Sequence, residues 1–321
     1  MRTPLRALLV SGLLAASLMA FAAPVKIETA GYVQGRYESA PGVTGKQFNM
    51  TRALVASRIF ATADTGIYLV ACNTYKTNSP ELQYAYAFLI DGTMEYRAGM
   101  STIPFGYENP SSASRLITLE RSKISSVLFN NAAVGGNAAL DRGVFVNYTP
   151  KTGIGIQGAI INGTPYSKAA DSNANKNVLV RAFKPVAGGE LGASLYVGKS
   201  ETSSLMNRAG LDLTTIRGNY TIVSEIMAGK GSVPAAGNAS AYGGYVSVQR
   251  RVQGSDIAPY ARLELTDQNA RVDGGLYKAL TLGTAYFVGP TAKISGQVIV
   301  EKNTGKTTFN QFGLQYQVIF K

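Results

Sequence analysis

The chain has 321 residues, 45% of them hydrophobic and 16% charged, and a formal net charge of +12. Histidine is absent and Cys72 is the single cysteine, which excludes Ser-His-Asp and Cys-His nucleophile pairs, histidine-liganded zinc and an intrachain disulfide. The basic residues are scattered instead of forming an arm or stripe, so no nucleic-acid partner is expected.

At the amino terminus, Arg2 and Arg6 precede an apolar stretch from Leu8 to Met19, which runs into Ala20-Phe21-Ala22, a small-x-small cleavage site. Residues 1–22 therefore read as a signal peptide, and 23–321 as the exported domain. The stretch is too short to span a bilayer comfortably as an anchor helix. Loss of Arg2 and Arg6 lowers the formal charge from +12 to +10. Beyond the leader no run approaches the ~20 apolar residues of a membrane helix, so any membrane insertion has to be as strands.

From Val25 onward, segments of period two recur about every 16 to 20 residues, and sixteen can be counted. They centre near residues 25–37, 47–62, 67–77, 81–90, 93–101, 141–149, 154–162, 177–184, 190–198, 207–216, 220–229, 241–251, 257–266, 277–287, 292–301 and 308–320. Short breakers such as Asp64-Thr-Gly66, Asp91-Gly92 and Arg217-Gly-Asn219 follow the even segments. The links after odd segments are mostly longer and polar, as when one barrel rim has tight turns and the other has external loops. Residues 102–140 form the longest, in third place. Arg115, Glu120, Arg121 and Lys123 crowd its middle among Leu116, Ile117, Leu119, Ile124, Val127, Leu128 and Phe129. So apolar a loop is expected to fold into the lumen and set the constriction; the other reading is a surface lid or a disordered loop.

Face assignments follow from the alternation. The last segment places Phe312, Leu314, Tyr316, Val318 and Phe320 on one side against Gln311, Gly313, Gln315 and Gln317, apolar towards lipid and polar towards water. Leu82, Tyr84, Tyr86, Phe88 and Ile90 are likewise expected to meet lipid. Glu95, Arg97, Gly99 and Ser101, then Asn177 and Arg181, Tyr260, Arg262 and Glu264, and Lys293, Ser295 and Gln297 are assigned to the lumen. An arginine facing lipid at the midplane costs roughly 2–4 kcal/mol, so Arg52 and Arg58 are also placed inward, although they share a parity with Phe48, Leu54 and Phe60. With no tryptophan, the interfacial girdles fall to the 18 tyrosines and 12 phenylalanines. The fold class expected is all-β, a transmembrane antiparallel up-and-down barrel of about 16 strands with a long third external loop folded into the lumen.

Two glycine motifs carry no nucleotide chemistry. Gly153-Ile-Gly155-Ile-Gln-Gly158 alternates along a strand instead of opening a helix, and Gly42-Val-Thr-Gly45-Lys46 is too short for a phosphate loop and reads as a hairpin tip. Acidic pairs such as Asp212 with Glu225 or Glu264 have no spacing that marks a two-carboxylate site. No enzymatic activity, cofactor or metal is expected.

The stretch Tyr96-Arg97-Ala-Gly99-Met-Ser-Thr-Ile-Pro104-Phe105-Gly106-Tyr-Glu108, then Leu119-Glu120-Arg121-Ser122, Asp141-Arg142-Gly143-Val144 and Gly158-Ala-Ile-Ile-Asn162-Gly163, resembles the phosphate-selective porin O/P family. Asn49 to Ala61 is similar to its basic second strand, and Leu280 to Tyr286 with the last strand to its closing hairpins. The sequence departs from the family at Leu54, where a basic residue is common, and at Lys321, which follows Phe320 instead of an aromatic end. The resemblance implies a homotrimeric outer-membrane porin passing small anions, phosphate among them, with Arg97, Arg121, Lys123 and Arg142 at the matching anion-binding positions. Arg115, Arg52, Arg58, Arg181, Arg262 and Lys293 complete the candidate pore lining. Glu95, Glu120 and Glu264 temper that field, and full pairing of acids with bases would instead give an unselective pore with a transverse field. A plugged structural or adhesin barrel is the remaining reading. Outer-membrane lipid and the barrel-assembly machinery are the other partners expected of such a barrel.

Overall fold

The computed structural model describes residues 25–39, 47–74, 80–129, 139–164, 175–199, 205–230, 239–271, 275–303 and 309–321. The leader, the glycine motif at 42–46 and the tips of several links lie outside them. Sixteen strands form one closed antiparallel barrel in which each pairs with its sequence neighbours and the last with the first. They are β1 (Lys26–Ser39), β2 (Gln47–Phe60), β3 (Thr65–Thr74), β4 (Pro80–Asp91), β5 (Met94–Thr102), β6 (Leu140–Tyr148), β7 (Gly155–Ile161) and β8 (Asn177–Val186). The circuit continues through β9 (Gly189–Val197), β10 (Arg208–Arg217), β11 (Tyr220–Lys230), β12 (Ser240–Arg250), β13 (Ile257–Asp267), β14 (Leu276–Val288), β15 (Ala292–Asn303) and β16 (Phe309–Phe320). β1 and β16 align Tyr32 with Ile319 and Gln34 with Gln317, so the sheet has no open edge.

Closure fixes the two faces, because residues directly opposite across a ladder point the same way. One face is apolar and open: Val144 and Leu263 are each 60% exposed and Ile226 59%, and Phe312, Leu314, Tyr316 and Phe320 share it. The other carries the polar and charged side chains, including Gln34, Arg36, Arg181, Glu225, Arg262, Gln315 and Gln317, all buried. No helix among the described residues is long and apolar enough to cross a membrane.

Two expectations about faces fail. Tyr84, Tyr86 and Phe88 stand opposite Val70, Tyr68 and Gly66, and therefore share the polar face with Arg58, which is opposite Tyr68. A bulge between Val70 and Ala71 breaks the β4 alternation, so Leu82 turns to the apolar face while Gln83 and Tyr84 stay on the polar one. The rings are held there by guanidinium groups: Arg58 lies 4.2 Å from the Phe88 centroid and Arg97 5.1 Å from that of Tyr86. Arg142 stands opposite Met100 and is two residues from Val144, which places it on the apolar face at the strand's first turn. Asp141 takes the polar-face position beside it, where its carboxylate accepts from the Gly163 amide at 2.8 Å. At a barrel rim a long arginine can carry its charge to the interface.

The link between β5 and β6 is the only long connection with an ordered interior of its own among the described residues, in a 3₁₀ turn (Ala113–Arg115) and helix α1 (Lys123–Phe129). Ser122 starts α1, its carbonyl accepting from Ser126 N at 3.0 Å. Ile124, Leu128 and Phe129 from α1 join Ile103 and Phe105 in a buried apolar cluster with Phe145, Ile161, Leu179, Tyr196, Met206 and Met227 of the wall. The apolar residues within 102–140 thus have a packing role.

Candidate pore and anion-binding cavity

Segment 103–129 is fastened to polar-face side chains in a fixed order. Gly106 N donates to Ser194 Oγ on β9 at 3.0 Å, and Tyr107 N to Glu225 Oε1 on β11 at 2.6 Å. Tyr245 Oη donates to the other Glu225 oxygen at 2.8 Å. Gly106 has φ of +66°, and a Cβ there would meet Glu225 Oε1 at 2.3 Å, so only glycine lets the chain turn this close to the carboxylate. Burial of Tyr107 pushes its phenol above the ordinary tyrosine value.

Arg262 on β13 pairs with Glu108 at 2.6 Å and with Glu264 at 3.4 Å, and its guanidinium lies 4.5 Å from the Tyr245 ring centroid. The second Glu108 oxygen accepts from Ser122 N at 2.7 Å, and Glu264 accepts from Lys123 N at 2.8 Å. Leu119 N donates to Gln297 Oε1 on β15 at 3.1 Å. Arg36 on β1 pairs with Glu120 and, at 2.7 Å, with Glu38, while donating to Gln315 Oε1 and Leu119 O. Lys293 Nζ donates to Ser114 O at 3.3 Å and Leu116 O at 3.4 Å. Arg181 is closed off separately by Asp212 at 2.6 Å and Glu190 at 2.5 Å.

Beside this packed region, Arg52 and Arg58 of β2, Arg97 of β5 and Arg121 of the segment line one cavity of about 370 Å³. Tyr32, Tyr68, Tyr84 and Tyr86 complete its wall, and residues 109–113 cover the opposite side. Glu95 pairs with Arg58 at 3.1 Å and with Arg97 at 2.7 Å. Arg52 and Arg121 have no ion pair among the described residues; Arg121 is held by backbone carbonyls, Glu108 O at 3.1 Å and Ser111 O at 2.5 Å. Among the described residues Glu95 is the carboxylate in ion pairs with this group of four, and Glu28 stands opposite Arg58 across the β1–β2 ladder.

Of the ten candidate residues, the cavity gathers Arg52, Arg58, Arg97 and Arg121. Arg181, Arg262 and Lys293 lie on the polar face but are spent on acids or on backbone carbonyls. Lys123 places its ammonium 5.3 Å from the Tyr277 ring centroid, Arg115 is exposed outside the cavity lining, and Arg142 lies on the other face. Two polar-face arginines escaped the sequence reading. Arg36 could have been found from the alternation Gln34, Arg36, Glu38; Arg208, stacked on Phe129 at 4.7 Å and Tyr196 at 5.2 Å, is marked by no local pattern. Cys72 is a buried free thiol on the polar face, opposite Leu54.

The fold is that of outer-membrane porins. Among solved structures, the anion-selective porin from Comamonas acidovorans superposes with a TM-score of 0.71 at 11% identity, over 92% of this chain and 100% of that one. Salmonella typhi OmpF in complex with daunomycin gives 0.70 at 10% identity, over 92% and 98%. The trimer form of Vibrio cholerae OmpT gives 0.64 at 9% identity, over 93% and 100%. No protein-family model and no curated protein sequence matches the chain, so the porin O/P resemblance stands on its sequence motifs.

Proposed function

We propose that the protein is an outer-membrane porin: a water-filled barrel for passive diffusion of small hydrophilic solutes, with a preference for anions, phosphate among the candidates. The observation that carries the preference is the cavity lined by Arg52, Arg58, Arg97 and Arg121, of which Arg52 and Arg121 are in no ion pair among the described residues. At an effective dielectric of about 20, a charge pair at ~4 Å is worth about 4 kcal/mol against about 1 in bulk water, and several such contacts of moderate depth hold an anion without trapping it. Guanidinium forks suit carboxylate and phosphate oxygens alike.

Segment 103–129 is the constriction in this reading. It bonds to Ser194 of β9 and to Arg36 of β1, strands eight places apart in a circuit of sixteen, and one segment reaches both polar faces only from inside the cylinder. The exposed apolar face is the lipid surface, residues 1–22 are the export signal, and the working unit is a homotrimer, as in the trimer form of Vibrio cholerae OmpT. The pairing of Arg36, Arg181 and Arg262 favours a second component, a transverse field of neutralised pairs that adds no selectivity.

The test is the reversal potential of the purified protein in a planar bilayer under a potassium chloride gradient, followed by addition of phosphate. An anion-signed reversal with phosphate block supports an anion-binding pore. Conductance without ion preference would reduce the protein to a general porin, and no conductance would make it a plugged barrel.

A further inference from the structure

The cavity has an aromatic half that an inorganic anion does not need. Tyr68 stands between two other rings, 5.2 Å from Tyr86 at an interplanar angle of 34° and 6.0 Å from Tyr84 at 78°. The Arg97 guanidinium continues the row over the outer ring, 5.1 Å from the Tyr86 centroid. Tyr84 Oη accepts from Thr102 Oγ1 at 3.0 Å, which fixes that ring's orientation. Leu54 and Val70 fill in beside the rings. Arg52 and Arg121, which are in no ion pair among the described residues, belong to other elements, a wall strand and the covering segment. Arg121 is oriented through Nε and Nη2, which leaves Nη1 without a partner among the described residues.

An apolar, ring-lined surface beside unpaired guanidinium groups is complementary to a solute with a flat hydrophobic body and one charged end. The volume, about 370 Å³, lies at the small end of ligand pockets, which run from about 300 to 1,000 Å³, and so suits a single-ring compound. Inorganic phosphate would satisfy the arginines but leave the ring atoms that line the cavity without a partner, whereas a planar ring packs against them edge-to-face and on guanidinium planes. We propose that the preferred solute of this cavity is a small aromatic carboxylate, its ring against Tyr68 and Tyr86 and its carboxylate on Arg52 and Arg121. This assignment rests on the anion-porin reading and narrows it.

The experiment compares half-blocking concentrations for the chloride current of the full-length protein in a planar bilayer, using benzoate, cyclohexanecarboxylate and phosphate at pH 7. Benzoate and cyclohexanecarboxylate share charge and approximate size and differ in the π face. Stacking of one ring favours benzoate by about two- to twelvefold. Equal block by the two carboxylates, or stronger block by phosphate than by benzoate, with an anion-signed reversal potential retained, overturns the aromatic assignment alone. A cation-signed reversal or absent conductance overturns the porin reading beneath it. In the variant Tyr68→Leu/Tyr86→Leu the two carboxylates block equally; a persisting benzoate advantage there would also sink the proposal. The wild-type comparison decides the matter even where the variant fails to insert.

Discussion

The two sides of the barrel use the same residue types for opposite ends. From β6 round to β13 and β15 the polar face is consumed by segment 103–129 and by pairs within the wall: Arg262 faces Glu108 of the segment and Glu264, α1 seals an apolar cluster against Phe145, Leu179 and Tyr196, and Arg181 faces Asp212 and Glu190 of neighbouring strands. Between β2 and β5 the cavity lining holds Arg52, Arg58, Arg97 and, from the segment, Arg121, of which Arg58 and Arg97 are in ion pairs with Glu95 among the described residues, and the cavity stays open. What an arginine can do here depends on whether a carboxylate meets it, since a buried pair is an anchor and a guanidinium outside an ion pair at a cavity wall keeps donors for a solute.

The sharpest way to break this contrast is to open the packed side. Arg262→Ala leaves Glu108 and Glu264 buried without their partner, which costs about 3–5 kcal/mol and frees the segment. The expected outcome is earlier unfolding in urea and larger, noisier single-channel conductance. Gly106→Ala comes next: the left-handed backbone adds about 1–2 kcal/mol, and displacing Glu225 from the Tyr107 amide adds a lost buried hydrogen bond of about 1–3 kcal/mol. The same two measurements shift in the same direction, by less.

Lys293→Met removes two contacts to the Ser114 and Leu116 carbonyls and is expected to cost about 1 kcal/mol, with a small rise in conductance. Arg52→Glu should have the smallest effect on stability, within about 0.5 kcal/mol, because its side chain is in no ion pair among the described residues and, unlike Arg121, holds no carbonyl of the segment there. It is nevertheless expected to move the reversal potential towards cations further than the other three. Selectivity that follows stability across the set would erase the distinction between the two sides.

The strand segments of the sequence reading match the sixteen observed strands to within three residues at nearly every boundary, and the faces of β8, β13, β15 and β16 are as the alternation predicts. Those features are local, since a half-wetted strand writes its two environments into successive residues. β4 misled because aromatic residues serve equally as lipid-facing girdle and as stacking partners of lumenal guanidinium groups, and because a bulge shifts the parity without any signal in composition. Arg142 misled because a motif match carries no parity, whereas the register through Gly99 and Gly143 does.

The candidate site was half legible. Arg52, Arg58, Arg97 and Arg121 could be selected as basic residues of the wall and the long link, but nothing local separates them from Arg181 and Arg262. By itself the sequence determined the barrel, its strand count and most of its two faces, because period two and breaker spacing are imposed by bilayer outside and polar surroundings inside. Only the tertiary structure decided which charges cancel. Arg262 and Glu108 are 154 residues apart and Arg36 and Glu120 are 84 apart, so the meeting of distant strands with segment 103–129, and no neighbour in the chain, sets the charge left over at the cavity.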